Sequence, residues 1–185
     1  MKYELMEPPI VFENYRDLKK KEALVLFNWF IEQIPSRVLQ LAEYSGSKLD
    51  FSVESLREVW IWFLENIEII DKSIIELQQE LEREASWLSN YVSEKKITLI
   101  SNAISMDISI YFGEVIRKNN KSIDWGIVFS PKNYANVNRP VLKGFKVTEM
   151  DVLRIVANKT LELIDGKRDP ETLLHIYKTW CEIYL

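Results

Sequence analysis

Hydrophobic residues recur along most of this chain every three or four positions, the spacing that gathers them on one side of an α-helix. The pattern predicts about six helices, in segments at about 17–44, 53–70, 72–92, 97–118, 152–164 and 171–185, the first of them divided at Pro35 into a helix up to residue 34 and a short helix at 36–44. The expected core-facing residues include Leu24 in the first segment and Ile74, Leu77, Leu81 and Leu88 in the third. Pro35 lies within the first segment, and we expect it to end or kink that helix because proline removes a backbone hydrogen bond.

The periodicity changes after the segment at 97–118. Two short runs, at about 124–129 and 140–146, are rich in β-branched and aromatic side chains. The loop between them is rich in Asn, Pro and Ser. They predict an antiparallel pair of strands. A two-stranded ribbon is marginal by itself, so it must pack on the helices or recruit residues 1–13 as a third strand. The expected fold is therefore one predominantly helical α+β domain over 1–185, arranged around a central buried helix at about 97–118.

The central helix is apolar on almost every side and yet carries Asp107 and Glu114. Buried carboxylates are costly unless hydrogen-bond donors or cations meet them, so each needs a structural or a functional explanation. A simple structural explanation for Glu114 is a pair with Lys118, four residues further along. The two acids are separated by about 10.5 Å along the helix axis, which is poor geometry for a catalytic carboxylate pair.

A glycine also interrupts this helix, although glycine there costs about 1 kcal/mol relative to alanine. We interpret Gly113 as a point of close packing, and Trp125 is the candidate for the side chain that packs on it.

Composition narrows the classes of function. The chain has 185 residues, one cysteine and one histidine, so an internal disulfide, a cysteine-based zinc site and a multi-histidine metal site are all excluded. Cys181 and His175 are expected to be packing residues. None of the common nucleotide-binding, metalloprotease or serine-hydrolase motifs occurs, so we predict no catalytic residues, no metal and no cofactor. The N-terminus does not resemble a signal peptide and no apolar run reaches a membrane span, which favours a cytoplasmic protein with no membrane partner.

Acidic and basic residues occupy different parts of the chain. Between residues 65 and 84 seven acidic residues stand against two basic ones, whereas between 117 and 146 seven basic residues stand against one acidic residue. Such separation indicates solvated faces or a docking surface. Aromatic residues within the basic part would suit nucleic acid, but the formal net charge of -4 argues against that partner. The acidic helix at 71–92 is a surface through which a second copy of the chain would pair.

Several groups of residues resemble a family of small uncharacterised bacterial proteins. They are Ser55-Leu56 with Trp60–Phe63, Asp107 with Tyr111–Val115, and Trp125 with Arg139–Val141, within roughly residues 50–146. In that family a helical Tyr-x-Gly-Glu segment precedes a tryptophan and a short β segment. Some similar proteins are associated with toxin–immunity loci, so the resemblance implies a protein partner.

Three hypotheses follow. The favoured one is a non-enzymatic protein-interaction protein of the immunity type, which would dock through the loop from Lys132 to Arg139 and the edge that carries Glu114 and Arg117. The alternative is a small-molecule-binding protein or enzyme with a pocket around Glu114 and Trp125, which Asp107 and Tyr111 would also line. A third, an accessory factor of a phage or mobile element, would need gene neighbourhood to support it. The candidate binding residues are Asp107, Tyr111, Glu114, Arg117, Trp125, Lys132, Tyr134 and Arg139.

Overall fold

The structure, a computed structural model, describes residues 2–83 and 92–184. Within those residues the chain forms six α-helices and two antiparallel sheets of two strands each. In chain order they are α1 (Lys20–Ser45), α2 (Glu54–Asn66), β1 (Ile69–Asp71), α3 (Ile74–Arg83), β2 (Lys95–Ile97), α4 (Leu99–Asn119), β3 (Asp124–Ile127), β4 (Pro140–Lys143), α5 (Val152–Leu161) and α6 (Thr172–Ile183). The predicted class, a predominantly helical α+β fold with a small antiparallel β element, is confirmed.

Helix α4 is the centre of the core, as the sequence predicted. It begins after Thr98, whose hydroxyl accepts a hydrogen bond from the Ser101 amide at 3.3 Å. Thirteen of its residues are buried, and it packs against α1, α2 and α5. By length and composition α4 is apolar enough to cross a membrane, but 72% of the qualifying stretch is buried inside the protein. A helix enclosed in this way is typical of the core of a folded domain.

Helix α1 runs without a break through Pro35, so the proline does not end the helix, which was one of the two outcomes expected of it. The missing amide of Pro35 leaves the Ile31 carbonyl without its helical donor, and the Ser36 hydroxyl donates to a different carbonyl, that of Gln33, at 2.8 Å. Buried residues lie on both sides of the proline: Ala23, Leu26, Phe30, Ile34, Arg37 and Leu41. Their burial holds the helix together where local propensity would end it. Leu24, which was expected to face the core, is 44% exposed.

The segment predicted as one helix at 53–70 is shorter than expected. Helix α2 ends at Asn66, and Ile69 then pairs with Ile97 in a β1–β2 ribbon that the sequence did not predict. Short apolar runs fit a strand as well as a helix, and the presence of a pairing strand decides between them.

The apolar face of α3 does not enter the core of the described residues. Ile74, for example, is 75% exposed, and no residue within α3 is buried. The expectation that Ile74 and Leu81 face the core is therefore wrong. Leu88 and the rest of the predicted helix at 84–91 lie outside the described residues, as does Glu84 of the acidic segment.

The predicted ribbon at 124–129 and 140–146 is confirmed as β3 and β4, with Trp125 opposite Leu142. It packs on the helices, since β3 contacts α1. Among the described residues the β3–β4 sheet has two strands, so residues 2–13 do not add a third. Instead that segment carries Tyr3 into the core, where its side chain is 3% exposed.

Candidate functional site

Asp107, the first of the two acids on α4, is fully buried and meets donors from two other parts of the chain. Its carboxylate accepts hydrogen bonds from Arg37 of α1, from Nε at 2.9 Å and from Nη2 at 2.6 Å, and another from the Tyr3 hydroxyl. Arg37 also donates to the Glu4 carbonyl at 2.9 Å. Bidentate pairing of this kind is the geometry that best offsets the cost of burying both charges. Asp107 therefore fastens the N-terminal segment and α1 to the central helix.

Burial governs the titration of this cluster. It raises the pKa of Asp107, while the hydrogen bonds from Arg37 and Tyr3 oppose the rise. Burial also raises the pKa of Tyr3, and the neighbouring Asp107 raises it further, so the Tyr3 hydroxyl stays protonated and remains a donor. Both groups are therefore occupied by hydrogen bonds within the protein.

Tyr111 is buried one turn further along α4, but its hydroxyl faces the start of α2. It accepts a hydrogen bond from the Phe51 amide at 3.0 Å and lies 2.5 Å from the Ser55 hydroxyl. Phe51 has a positive φ of 63°, so this hydrogen bond stabilises an unfavourable backbone conformation. Tyr111 is thus a packing and positioning residue of the core.

Glu114 is 4% exposed and is held by Arg117 and Trp125. Arg117 donates from Nε to Oε1 at 3.0 Å and from Nη2 to Oε2 at 2.8 Å, and the Trp125 indole donates to Oε1 at 2.8 Å. The suggested pair of Glu114 with Lys118 is wrong: the Lys118 ammonium lies over the Phe51 ring instead. Glu114 is therefore satisfied by donors of the protein itself.

Gly113 is the point of close packing that the sequence indicated. A Cβ atom at this position would lie 2.5 Å from Cζ2 and 2.8 Å from Cη2 of Trp125. The indole is fixed on another side by the Phe30 ring, whose centroid lies 5.1 Å away. Only glycine leaves room for the indole to lie across α4 and reach Glu114.

A groove of about 400 Å³ opens beside this cluster, between α1 and the start of β3. It is lined by Phe27, Ile31, Ile34, Pro35, Glu114, Arg117, Asp124 and Trp125. The Arg117 side chain is 38% exposed at its edge, and the exposed carboxylate of Asp124 lies 3.9 Å from it. The groove therefore combines apolar side chains with one guanidinium that two acids hold in place.

The loop between β3 and β4 is tied to the protein rather than presented as a basic surface. Arg139 donates to Asp151 at 2.5 Å and lies over the Tyr15 ring, 4.7 Å from its centroid. Tyr134 is half-buried, and its hydroxyl lies 3.2 Å from that of Thr148. Of the three loop residues proposed for docking, Lys132 alone is exposed.

The structure brings together three of the eight candidate residues, namely Glu114, Arg117 and Trp125. Asp107 contacts the N-terminal segment, and Tyr111 contacts α2. The loop with Lys132, Tyr134 and Arg139 lies where β3 leads into β4, beyond the end of the ribbon that meets Arg117. The proposed combination of loop and α4 edge is therefore not one continuous cluster.

Two residues of the polar network were missed by the sequence reasoning, Tyr3 and Arg37. Arg37 could have been found from the sequence, because its spacing from Ile34 and Leu41 places it on the core-facing side of the helix. A basic residue in such a stripe predicts a buried acid opposite it. Tyr3 carried no comparable signal, since the segment around it has no regular secondary structure.

Metal and thiol chemistry find little support in the described residues. No group of three His, Cys, Asp or Glu side chains among residues 2–83 and 92–184 is arranged to hold a metal ion. His175 is largely exposed, with Nδ1 3.3 Å from Asp169, so the expectation that it is a packing residue is wrong. Cys181 is half-buried beside Asn120, and burial raises the pKa of its thiol.

Comparison of this chain with protein-family models, with curated proteins and with solved structures finds no match. The resemblance to small bacterial proteins of toxin–immunity loci therefore stays a prediction. The site is therefore described by its geometry alone: buried Glu114 is held by the partly exposed Arg117 and Trp125 beside an apolar groove.

Proposed function

We propose that this chain is a non-enzymatic, cytoplasmic protein that binds another protein, in the manner of an immunity protein. The acids that first suggested catalysis support this proposal, because each is occupied by donors of the protein itself. Asp107 is held by Arg37, and Glu114 by Arg117 and Trp125. In both cases the carboxylate already forms hydrogen bonds within the protein, whereas acid–base catalysis needs a group that can reach a substrate proton.

The groove between α1 and β3 is the observation that carries the proposal. It presents partly exposed apolar and aromatic side chains, Phe27 and Ile31, next to Trp125. Aromatic residues and arginine are the types enriched at the energetic centres of protein interfaces. A groove of this composition favours a partner side chain that is apolar and enters between α1 and the indole.

Arg117 suggests the second chemical feature of the partner. Its guanidinium is pre-positioned by the bidentate pair with Glu114, so a new contact would cost it little conformational entropy. Its contact with Asp124 is weak, at 3.9 Å, and the Asp124 carboxylate is 78% exposed. A carboxylate on the partner would replace that contact, so we infer a partner segment with an apolar residue next to an acid.

Affinity capture from the native host with point variants tests this function. Ile31→Asp places a charge in the groove and is expected to lose the captured protein. Leu39→Asp is the matched control, because Leu39 lies on the same helix, is 60% exposed and does not line the groove. Circular dichroism must show that both variants remain folded.

A photo-crosslinking residue provides a test that does not depend on destabilising the groove. Placed at Asp124, it should join the chain to the same protein that affinity capture retains. The control is the same residue at Val11, which is 99% exposed and does not line the groove. Repeated capture with no specific protein, or equal capture by both α1 variants, would overturn the proposal.

The same groove is the observation that favours the second candidate, a small-molecule-binding protein or enzyme with a pocket at Glu114 and Trp125. Its volume is within the range of small-molecule sites. However, Asp107 and Tyr111, the other residues assigned to that pocket, do not line the groove. Binding of a small molecule that Ile31→Asp abolishes, without any protein partner, would favour this candidate.

A further inference from the structure

A second cavity lies beside the N-terminal half of α4, next to Asp107, whereas the groove lies beside its C-terminal half, next to Glu114. It has a volume of about 370 Å³ and is enclosed by α1, α4 and the N-terminal segment. We call residues 2–18 the N-terminal strap. The strap passes over the cavity without forming a helix or strand through residue 13.

Both ends of the strap are fixed. At its start, Tyr3 donates to buried Asp107, and Arg37 donates to the Glu4 carbonyl at 2.9 Å. At its end, the Asn138 side chain donates to the carbonyls of Tyr15 and Leu18, each at 2.9 Å. The two attachments hold the strap across the gap between the helices, so the cavity has a wall that the helices alone would not provide.

Most of the residues that line the cavity are apolar. Some of them are buried and others are exposed, which distinguishes the floor of the cavity from its entrance. Leu26, Phe30 and Pro140 are buried and form the floor. Leu5 and Leu99 also line the cavity but are 41% and 67% exposed, which places them at the entrance. Other lining residues are aromatic or flexible apolar side chains, namely Phe12, Tyr15, Trp29 and Met106. This is the composition of a small-molecule site: concave, largely apolar and of sufficient volume.

The polar end of the cavity decides the charge of the ligand. Arg37 and Asp107 both line it, but they neutralise each other through two hydrogen bonds. A charged ligand would therefore find no free counterion and would lose its hydration without compensation. A neutral ligand would lose far less, and one polar atom on it would lie beside the Arg37 guanidinium, since Asp107 is fully buried.

We propose that the cavity beneath the N-terminal strap binds a neutral, mainly apolar small molecule. Its apolar body lies against Trp29 and Phe30, and a single hydrogen-bonding group faces the Arg37–Asp107 pair. This site is separate from the groove at Glu114, and the two share no lining residue.

Fluorescent probes of matched shape test both the site and the charge rule. N-phenyl-1-naphthylamine is neutral, and anilinonaphthalene sulfonate has the same aromatic skeleton with one negative charge. The folded full-length chain is expected to bind the neutral probe with a rise in fluorescence, and to bind the sulfonate about tenfold or more weakly.

Variants locate the bound probe. Ala103→Trp fills the cavity from α4 and is expected to weaken binding of the neutral probe by about tenfold or more. Leu99→Asn alters the entrance at an exposed position, so it tests the same site without disturbing the core. Thr179→Trp is the control, because it places the same bulky side chain in a different cavity between α5 and α6.

Weaker binding in Ala103→Trp and Leu99→Asn, with unchanged binding in Thr179→Trp, would support the proposal. Equal binding of both probes, equal binding by all variants, or no binding by the wild-type chain would overturn it. Ile31→Asp in the groove should leave the neutral probe bound, so a failure of this site is distinguishable from a failure of the proposed protein-binding function.

Discussion

Replacing Asp107 by asparagine tests whether the buried ion pair with Arg37 is required for the stability of the fold. The substitution keeps the size of the side chain but removes its charge, and it turns an amide N–H₂ group towards donors. Arg37, only 6% exposed, would then be a buried charge without a counterion. Removing one partner of such a pair costs about 3–5 kcal/mol. A domain has a total stability of about 5–15 kcal/mol, so this loss is a large share of it.

Urea unfolding followed by tryptophan fluorescence and far-ultraviolet circular dichroism measures the effect. In thermal unfolding of a chain of this size, the same loss of stability corresponds to a fall in Tm of about 6–20 °C. Tyr3→Phe provides a graded second variant, because it removes one donor and leaves the pair of Asp107 with Arg37 intact. Its expected cost is about 1.5–3 kcal/mol, the usual contribution of a hydrogen bond to a charged group.

The double variant Arg37→Met with Asp107→Leu separates the cost of an unpaired charge from the loss of packing. It removes both charges and keeps apolar volume, so it should be much more stable than Asp107→Asn. Glu162→Gln, which breaks an exposed pair with Lys159, should leave the urea midpoint unchanged. The reasoning would be refuted if Asp107→Asn cost less than about 1 kcal/mol. It would also be refuted if the double variant lost as much stability as Arg37→Met and Asp107→Leu, measured singly, lose in sum.

Three further predictions concern other parts of the chain. Gly113→Ala should destabilise the protein by about 1–3 kcal/mol in urea unfolding, although alanine is the better helix former, because its Cβ would overlap the Trp125 ring. The Cys181 thiol should react slowly with iodoacetamide at pH 8, because burial raises its pKa and lowers the thiolate fraction. The hydroxyl and amide of Ser52 lower the pKa of Asp50 to about 2, so its stabilising contribution should be present above the ordinary pKa and lost as the pH falls towards 2. Carboxyl NMR titration measures that midpoint.

Each of these predictions has an internal comparison. Gly113→Ala combined with Trp125→Leu should recover part of the stability that Gly113→Ala loses. A double variant no more stable than Gly113→Ala alone would show that the indole is not the obstacle. Cys181 should react at the rate of a free thiol once urea has unfolded the chain. Ser52→Ala should move the Asp50 midpoint upward, and a midpoint that stays in place would contradict the assigned hydrogen bonds.

The central helix shows what periodicity can predict. The segment at 97–118 was apolar on nearly all sides, and α4 is indeed enclosed by other helices. The contact between Gly113 and Trp125 was also predictable, because a glycine within a helix needs a close neighbour to explain it. The strands at β3 and β4 followed from the change of period. In each case the local pattern of the sequence favours the same structure that the tertiary contacts favour.

The errors occurred where local and tertiary preferences differ. Pro35 lies inside α1 because the buried residues on either side of it favour one continuous helix. The run at Ile69 became a strand because β2 was available to pair with it. Neither outcome is encoded within the segment itself, since the deciding contacts come from residues far away along the chain.

For the candidate site, the sequence identified the two acids, Arg117 and Trp125, but not the residues that meet Asp107. Arg37 lies 70 residues from Asp107 along the chain, and Tyr3 lies 104 residues away. The sequence by itself determined that α4 is buried, that Asp107 and Glu114 need donors, and that Gly113 needs a close neighbour. Only the tertiary structure decided which donors meet each acid and where the strap and α1 leave a cavity. The physical reason is that burial follows from local pattern, whereas pairing depends on distances between segments that the chain brings together only when it folds.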